Sequence, residues 1–383
     1  MIATNKILWY VSQLWEIFSK PQMWNLITMI MWLISEWKKS LLSISKKVIW
    51  SNNQSSLNRF INNSDWNEKE LNNLRLKMLQ NNKEFKIKWT WYFVIDDTLT
   101  EEFWKQMEWV GKFYDHTTWT YKNARNIIML FYVEESICYP VDFRIYYKIE
   151  SIWELDFKTK NELALEMIFE HMPEKKELQA VVLFDSWFSW RDFLQALDEK
   201  WYRFVTVWKA NRNIFINKQK IKVPDLFKQT DMALWEIEWY DKIFTFVKWE
   251  YRDESQDKRD IYLISNINWL KTQEYMNKYD NRWKIEVWFK DFKQLFWWKD
   301  ISFKSSLAVL RIIYISFFAY TISMKESFKQ KINWVKATIW NICESLRKES
   351  LIELLKKIYA FWTKQIPLQS ALLSLAFWKI AKS

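Results

Sequence analysis

YFVIDD (Tyr92–Asp97) and AVVLFDS (Ala180–Ser186) decide how this chain folds. Each is a short apolar run closed by acid, without the alternation of a half-exposed strand. Each therefore predicts a strand buried on both faces. Around them, NIIMLFYV (Asn126–Val133) and VDFRIYYKI (Val141–Ile149) read as strands joined by a turn near residues 134–136. Lys158–His171 and Ser189–Lys200 read as helices, and YRFVTV (Tyr202–Val207) as a further strand. Strands alternating with helices predict a mixed α/β sheet. Active groups on such sheets gather at the carboxyl ends of strands, where Asp97 and Asp185 stand.

Outward from this core the pattern changes twice. Residues 1–88 predict a small helical domain, with apolar positions at three- and four-residue spacing in Leu41–Ile49 and Leu71–Leu79. Asp65 is its expected helix cap, with Glu68 as reciprocal partner. Residues 89–325 form the expected core, interrupted by a β-rich insertion at about 210–260. Asp260–Ile267 reads as a strand, Lys271 to about Leu295 as one long helix, and residues 326–383 as a C-terminal helical region. Asn25–Ile34 is too short to cross a bilayer. Ser305–Ser323 is longer, but Arg311 interrupts it, so it reads as a buried core helix, and no membrane partner is expected. Residues 1–20 make a poor signal peptide, because charge comes early and no cleavage site follows.

Composition narrows the function. The 383 residues are 50% hydrophobic and 27% charged, which fits a globular protein. The net charge of +11 points to a polyanionic partner. Two Cys (Cys138, Cys343) make no disulfide framework and read as small buried apolar groups. Two His (His116, His171) leave little scope for a zinc site or a His-based triad. A catalytic metal would be held by carboxylates, which suits Mg²⁺ or Mn²⁺. The chain also holds 29 Trp and 1 Gly, where about 7% Gly is ordinary. AT-rich coding could thin Gly and Pro but cannot raise Trp. Reading UGA codons as Trp, where the source cell reads them as Gly, does both.

The helix after Lys271 carries Tyr279, Arg282, Glu286 and Lys293. At about 100° per residue, offsets of 3, 7 and 14 fall within roughly 60° of one another. On a solvated face the Arg–Glu pair would add only about 0.2–0.5 kcal/mol. Asp96–Asp97 alone would be a turn signal, and Asp185 alone a helix cap.

Tyr279-x2-Arg282-x3-Glu286-x6-Lys293, downstream of two strand-end acids, resembles the signature of the DDE-type insertion-sequence transposases with ribonuclease-H-like cores. FVIDDT (Phe93–Thr98) and LFDSWF (Leu183–Phe188) resemble the strands bearing the first and second acids of that family. YDHTTWTYKNARNII (Tyr114–Ile128) and RFINNSDW (Arg59–Trp66) resemble neighbouring family segments, so the likeness spans roughly residues 40–325. It implies a catalytic and metal-holding triad of Asp97, Asp185 and Glu286, with Asp97 preferred over Asp96 because Thr98 follows. Only one of the two can face the metals, since neighbours on a strand point to opposite faces. The resemblance further implies Mg²⁺ (or Mn²⁺), water attack freeing a 3′-hydroxyl, and attack of that hydroxyl on target DNA. Tyr279, Arg282, Lys293 and Lys290 would contact DNA. The implied partners are double-stranded DNA, as terminal inverted repeats and target, and a second copy of the chain. The implied location is the bacterial cytoplasm. An inactive DNA-binding relative is the alternative. A membrane-surface protein fits poorly, since Trp falls at turns and element ends. His116 is a weaker site residue. Arg203, Lys209, Arg212 and Lys218 either line a DNA channel or form a solvated basic face.

The resemblance has Trp at positions 66, 187 and 283, which therefore read as authentic. Trp91, Trp119, Trp190, Trp201, Trp208 and Trp297 stand where Gly is expected. Filling some ten such sites with indole would cost about 1–3 kcal/mol each, against a native stability of about 5–15 kcal/mol.

Overall fold

A computed structural model describes residues 4–35, 41, 45, 52–88, 90–102, 108–115, 118–135, 137–148, 157–171, 179–216, 219–228, 230–237, 240–252, 258–268, 270–296, 305–332 and 338–365. The chain divides into two compact units. One comprises residues 1–83, 106–108 and 289–383; the other comprises 84–105 and 109–288.

The first unit is helical, with α1 (Asn5–Ser12), α2 (Lys20–Ser35), α3 (Gln54–Asn62) and α4 (Glu68–Gln80) from the N-terminal part. Most of Leu41–Ile49 lies outside the described residues. The cap of α4 is Asn67, whose side chain accepts from the backbone of Lys69 and Glu70, and not Asp65. Ser306–Ile332 forms one helix straight through the expected boundary at residue 325. It packs against α2, α3 and α4, so N- and C-terminal helices share one core. This helix is long and apolar enough to cross a membrane, but 89% of its apolar window is buried. Arg311 explains its interruption. The guanidinium donates to the carbonyls of Ile61 (3.0 Å), Ser64 (2.8 Å) and Trp66 (2.7 Å), closing the carbonyl end of α3 and the turn after it.

The second unit is built on one 11-stranded sheet, ordered β2-β3-β1-β5-β6-β11-β10-β9-β7-β8, with β4 on β3. Its strands are β1 (Thr90–Glu101), β2 (Gly111–Asp115), β3 (Thr120–Glu134), β4 (Ile137–Tyr146), β5 (Gln179–Phe184), β6 (Arg203–Val207), β7 (Asn213–Ile216), β8 (Gln219–Lys222), β9 (Met232–Ile237), β10 (Tyr240–Arg252) and β11 (Lys258–Ser265). β1, β5 and β6 run parallel, as the two fully apolar runs predicted. The other pairings are antiparallel. The mixed α/β class expected from the alternation is the one observed. The β-rich insertion prolongs the sheet beyond β11, so its strands borrow an existing edge.

Helix α5 (Lys160–His171) packs on β3 and β4, and α6 (Arg191–Glu199) on β6. After a short turn α7 (Val223–Leu226), the expected long helix is broken in two. α8 (Thr272–Tyr279) passes through a 3₁₀ turn, Asp280–Arg282, into α9 (Trp283–Leu295). Asn281 donates to the carbonyls of Asn277 (2.8 Å) and Lys278 (3.3 Å), a side-chain competition that tightens the turn there.

Candidate active site

The two faces of the sheet carry different helices, and that decides which acids meet. Phe131 is the register partner of Val94 on the neighbouring strand, so the two share a face. The Phe131 ring meets Trp288 of α9 at 4.8 Å. Two residues on from Val94, Asp96 points to that same α9 face. Asp97 points to the other face, where α5 lies. There it accepts from Asn126 Nδ2 (2.7 Å) and Lys160 Nζ (2.7 Å).

Asp97 was the expected first acid, and its geometry is different from that expectation. Alternation along β1 puts Asp96 on the face of α9 and Asp97 on that of α5. Continuing the parallel register Ile95↔Phe184 by one residue brings Asp96 beside Asp185. Arg282 joins Asp96 to the third acid: Nη1 donates to Asp96 Oδ2 (3.0 Å) and Nη2 to Glu286 Oε1 (2.7 Å). The 3₁₀ turn eclipses residues three apart, so Arg282 lies over the Tyr279 ring at 5.8 Å. Tyr279, Arg282, Glu286, Asp185 and Asp96 are thus brought together. Lys290 and Lys293 lie past Trp288, on the exposed part of α9 that belongs to the helical unit.

Electrostatics mark the same group. Burial, with repulsion from Asp185 and Asp97 and against the attraction of Arg282, pushes Asp96 up to about 7. Burial also raises Asp185, and the charge of Asp97 adds to it. The Tyr279 hydroxyl is pushed up to about 12, mainly by burial. Acids that repel one another in this way are relieved by keeping a proton or by sharing a cation. Three carboxylates on one face, with a guanidinium between two of them, are a donor set for hard divalent ions.

Asp185 is held by its own turn: its carboxylate accepts from the Trp187 backbone at 2.9 Å. Arg212 pins that turn from below, donating to the carbonyls of Ser189 and Ser186 and to Ser189 Oγ (2.7 Å). Arg212 is therefore a support for the Asp185 loop and not a solvated cation. Lys209 is exposed, and His116, Lys218 and Trp297 lie outside the described residues. Lys160 and Asn126 escaped the sequence reading, because their partner lies across the sheet and no local spacing announces it.

A second acidic group, Asp142, Glu170 and His171, offers ligand atoms within 4.8 Å of one another. Arg144 bridges Asp142 and Glu170. Although burial works the other way, His171 and Arg144 hold the Asp142 carboxyl well below the usual range. Arg144 and His171 tie β4 to α5 through Asp142.

Comparison with known proteins places the chain in a family. The family model described as DDE superfamily endonuclease matches residues 23–229. The one described as transposase DDE domain matches residues 158–322. The chain therefore belongs to the DDE superfamily of endonucleases, as a DDE-type transposase. The piggyBac transposase, solved by cryo-electron microscopy as a synaptic complex with hairpin DNA, has a similar fold. It matches with a TM-score of 0.53 and 12% identity over 94% of this chain and 76% of its own. An Argonaute of Kluyveromyces polysporus with a guide RNA aligns over 71% of this chain and 32% of its own. Its identity is 11% and its TM-score 0.20, too slight to bear on the fold. No curated protein sequence matches.

Proposed function

We propose that this transposase cleaves DNA at the ends of a mobile element and transfers the freed strands to target DNA. Asp96, Asp185 and Glu286 would hold two divalent ions, Mg²⁺ or Mn²⁺. The observation that carries the reading is the Arg282 bridge between Asp96 and Glu286 on the face shared with Asp185. When bound, two such ions supply Lewis-acid stabilisation to the attacking and leaving oxygens and a water acidified for attack. Every other part falls to the chain. The three carboxylates would hold such ions on one face of the sheet, where a reacting phosphate can approach. Arg282, which lies over the Tyr279 ring, would donate to a phosphate oxygen brought beside the acids. The buried Tyr279 hydroxyl stays protonated and donates. Lys290 and Lys293 bind flanking phosphates. The net charge of +11 suits long contact with duplex DNA. Two copies on paired element ends would act together, in keeping with the synaptic complex formed by piggyBac.

Cleavage of a duplex carrying the element's own terminal repeat, in Mg²⁺, tests the assignment. Asp96→Asn and Glu286→Gln should each abolish nicking, whereas Asp97→Asn, which weakens only the pair with Lys160, should lower it about tenfold and leave it measurable. Loss with Asp97→Asn and survival with Asp96→Asn would return the first acid to position 97. Survival with Glu286→Gln would remove the site altogether.

A further inference from the structure

We propose that Lys160 is a positioning residue that ties the two acid-bearing strand ends together from the face opposite α9. The inference rests on the metal site proposed above. Lys160 Nζ donates to Asp97 Oδ2 at 2.7 Å, one residue from Asp96. The same ammonium lies 4.5 Å from the ring of Trp187, two residues past Asp185, and 5.6 Å from the ring of Tyr146. The Trp187 backbone N–H is itself held by the Asp185 carboxylate. One cation therefore touches the segment of the first acid and the turn of the second.

The surroundings suit a fixed part and not a solvated ion pair. The Lys160 side chain is 11% exposed and that of Asp97 21%. Asn126, itself buried, completes Asp97 with a bond of 2.7 Å to the same oxygen. Two ions about 3.5–4 Å apart need carboxylates set within a narrow tolerance. The two acids sit on different strands, so their spacing follows from what joins the strand ends. Holding Asp97 on the α5 face also leaves one carboxylate of the adjacent pair to the ions.

The test uses the full chain, with Mn²⁺ affinity measured by calorimetry without DNA and cleavage measured as kcat and KM. Lys160→Met keeps the stem against the rings and removes the charge. It should weaken Mn²⁺ binding about tenfold or more and lower kcat in step, with KM for DNA unchanged. Lys160→Arg should restore part of both. Trp187→Leu, which keeps the ion pair and loses the ring, should show the same effect in weaker form. Mn²⁺ affinity unchanged in both Lys160→Met and Trp187→Leu would overturn the proposal. So would a raised KM with metal binding intact, which would make Lys160 a direct phosphate contact. Asp96→Asn separates the two levels: if that variant bound Mn²⁺ normally, the metal site itself would be misplaced.

A second inference rests on backbone geometry alone. We infer that the working polypeptide carries Gly at Trp109, Trp119 and Trp201. Among the described residues, five other than Gly have positive φ, and three are these Trp, at 62°, 56° and 63°. Bulky residues rarely enter the left-handed region, whereas Gly enters it freely. The one Gly of the chain, Gly111, is not in it. Trp201 ends α6 with the paired bonds Tyr202 N–H to Leu197 carbonyl and Trp201 N–H to Asp198 carbonyl, both 2.9 Å. That is the helix stop whose left-handed residue is usually Gly. Buried indoles separate in the same way. Trp66 donates to the Phe60 carbonyl at 2.9 Å, while the buried indole N–H groups of Trp91 and Trp208 have no hydrogen-bond partner. Mass spectrometry of the protein from its source cell should find the tryptic peptide Phe113–Lys122 with Gly at position 119. Trp in that peptide would overturn the inference. A chain made with Gly at all three positions should melt higher than the chain as written, and a lower melting point would count against it.

Discussion

Arg311 is a buried charge and Asp96 a half-buried one, and they serve different ends. Arg311 spends its donors on the last carbonyls around α3 and lies over the Trp66 ring at 4.5 Å. Its remaining partner is the carboxylate of Glu68 at 3.8 Å, so the charge is met within the helical unit. Asp96 shares one arginine with Glu286, stands beside Asp185, and is pushed up to about 7. Its neighbours leave the site short of positive charge. The contacts of Arg311 serve the fold, while a carboxylate left in tension waits for a ligand.

The largest effect that would break this comparison is a kinetic one. Asp96→Asn or Glu286→Gln should reduce DNA nicking at least about a thousandfold, roughly 4 kcal/mol of transition-state stabilisation, with the circular dichroism spectrum unchanged. Arg311→Met should do the reverse. It strands several buried carbonyls and should cost about 3–5 kcal/mol in urea unfolding, with the kcat of the remaining folded protein unaltered. An Arg311 variant that folds normally but cannot cleave would erase the distinction.

Acidity provides the next test. Asp96 has a folded pKa raised above its unfolded value, so its contribution favours the folded state at low pH and is lost as pH rises through about 7. Metal-free protein should therefore lose stability between about pH 4 and pH 7, by up to about 1.4 kcal/mol per pH unit from this group. Asp96→Asn should flatten that slope. Divalent ions need the ionised form, so stabilisation by Mg²⁺ should grow from pH 6 to pH 8. An equal Mg²⁺ effect at both would place the ion elsewhere.

Much of this contrast was legible in the residues, and its limits have physical causes. The runs ending in Asp97 and Asp185 gave the parallel pair, because only strands buried on both faces are so uniformly apolar. The Tyr279, Arg282 and Glu286 face was legible from helical spacing, although the 3₁₀ turn at Asp280–Arg282 was not. The choice between Asp96 and Asp97 was not legible, because alternation fixes relative faces and leaves open which face receives α9. Lys160 and Arg212 act on residues distant in sequence, and only the sheet brings them together. The N- and C-terminal helices read as separate regions, because a shared core leaves no mark in local periodicity.

The smallest effect concerns exposed cations, which complete the contrast with the buried ones. Lys290 and Lys293 are exposed, and the proposed role for each is a single phosphate contact. Such a contact releases about 0.9 counterion, so the slope of log affinity against log salt should fall in magnitude by about one for each Lys→Ala change. Binding should weaken alike on repeat and non-repeat DNA, since a phosphate contact carries no sequence information. Arg282→Met should behave otherwise. Arg282 also bridges Asp96 and Glu286 inside the site, so its loss should fall on kcat as well as on binding. Equal salt slopes for Lys293→Ala and the unaltered chain, measured from 50 to 200 mM salt, would remove α9's exposed face from the DNA path while leaving the buried acids untouched.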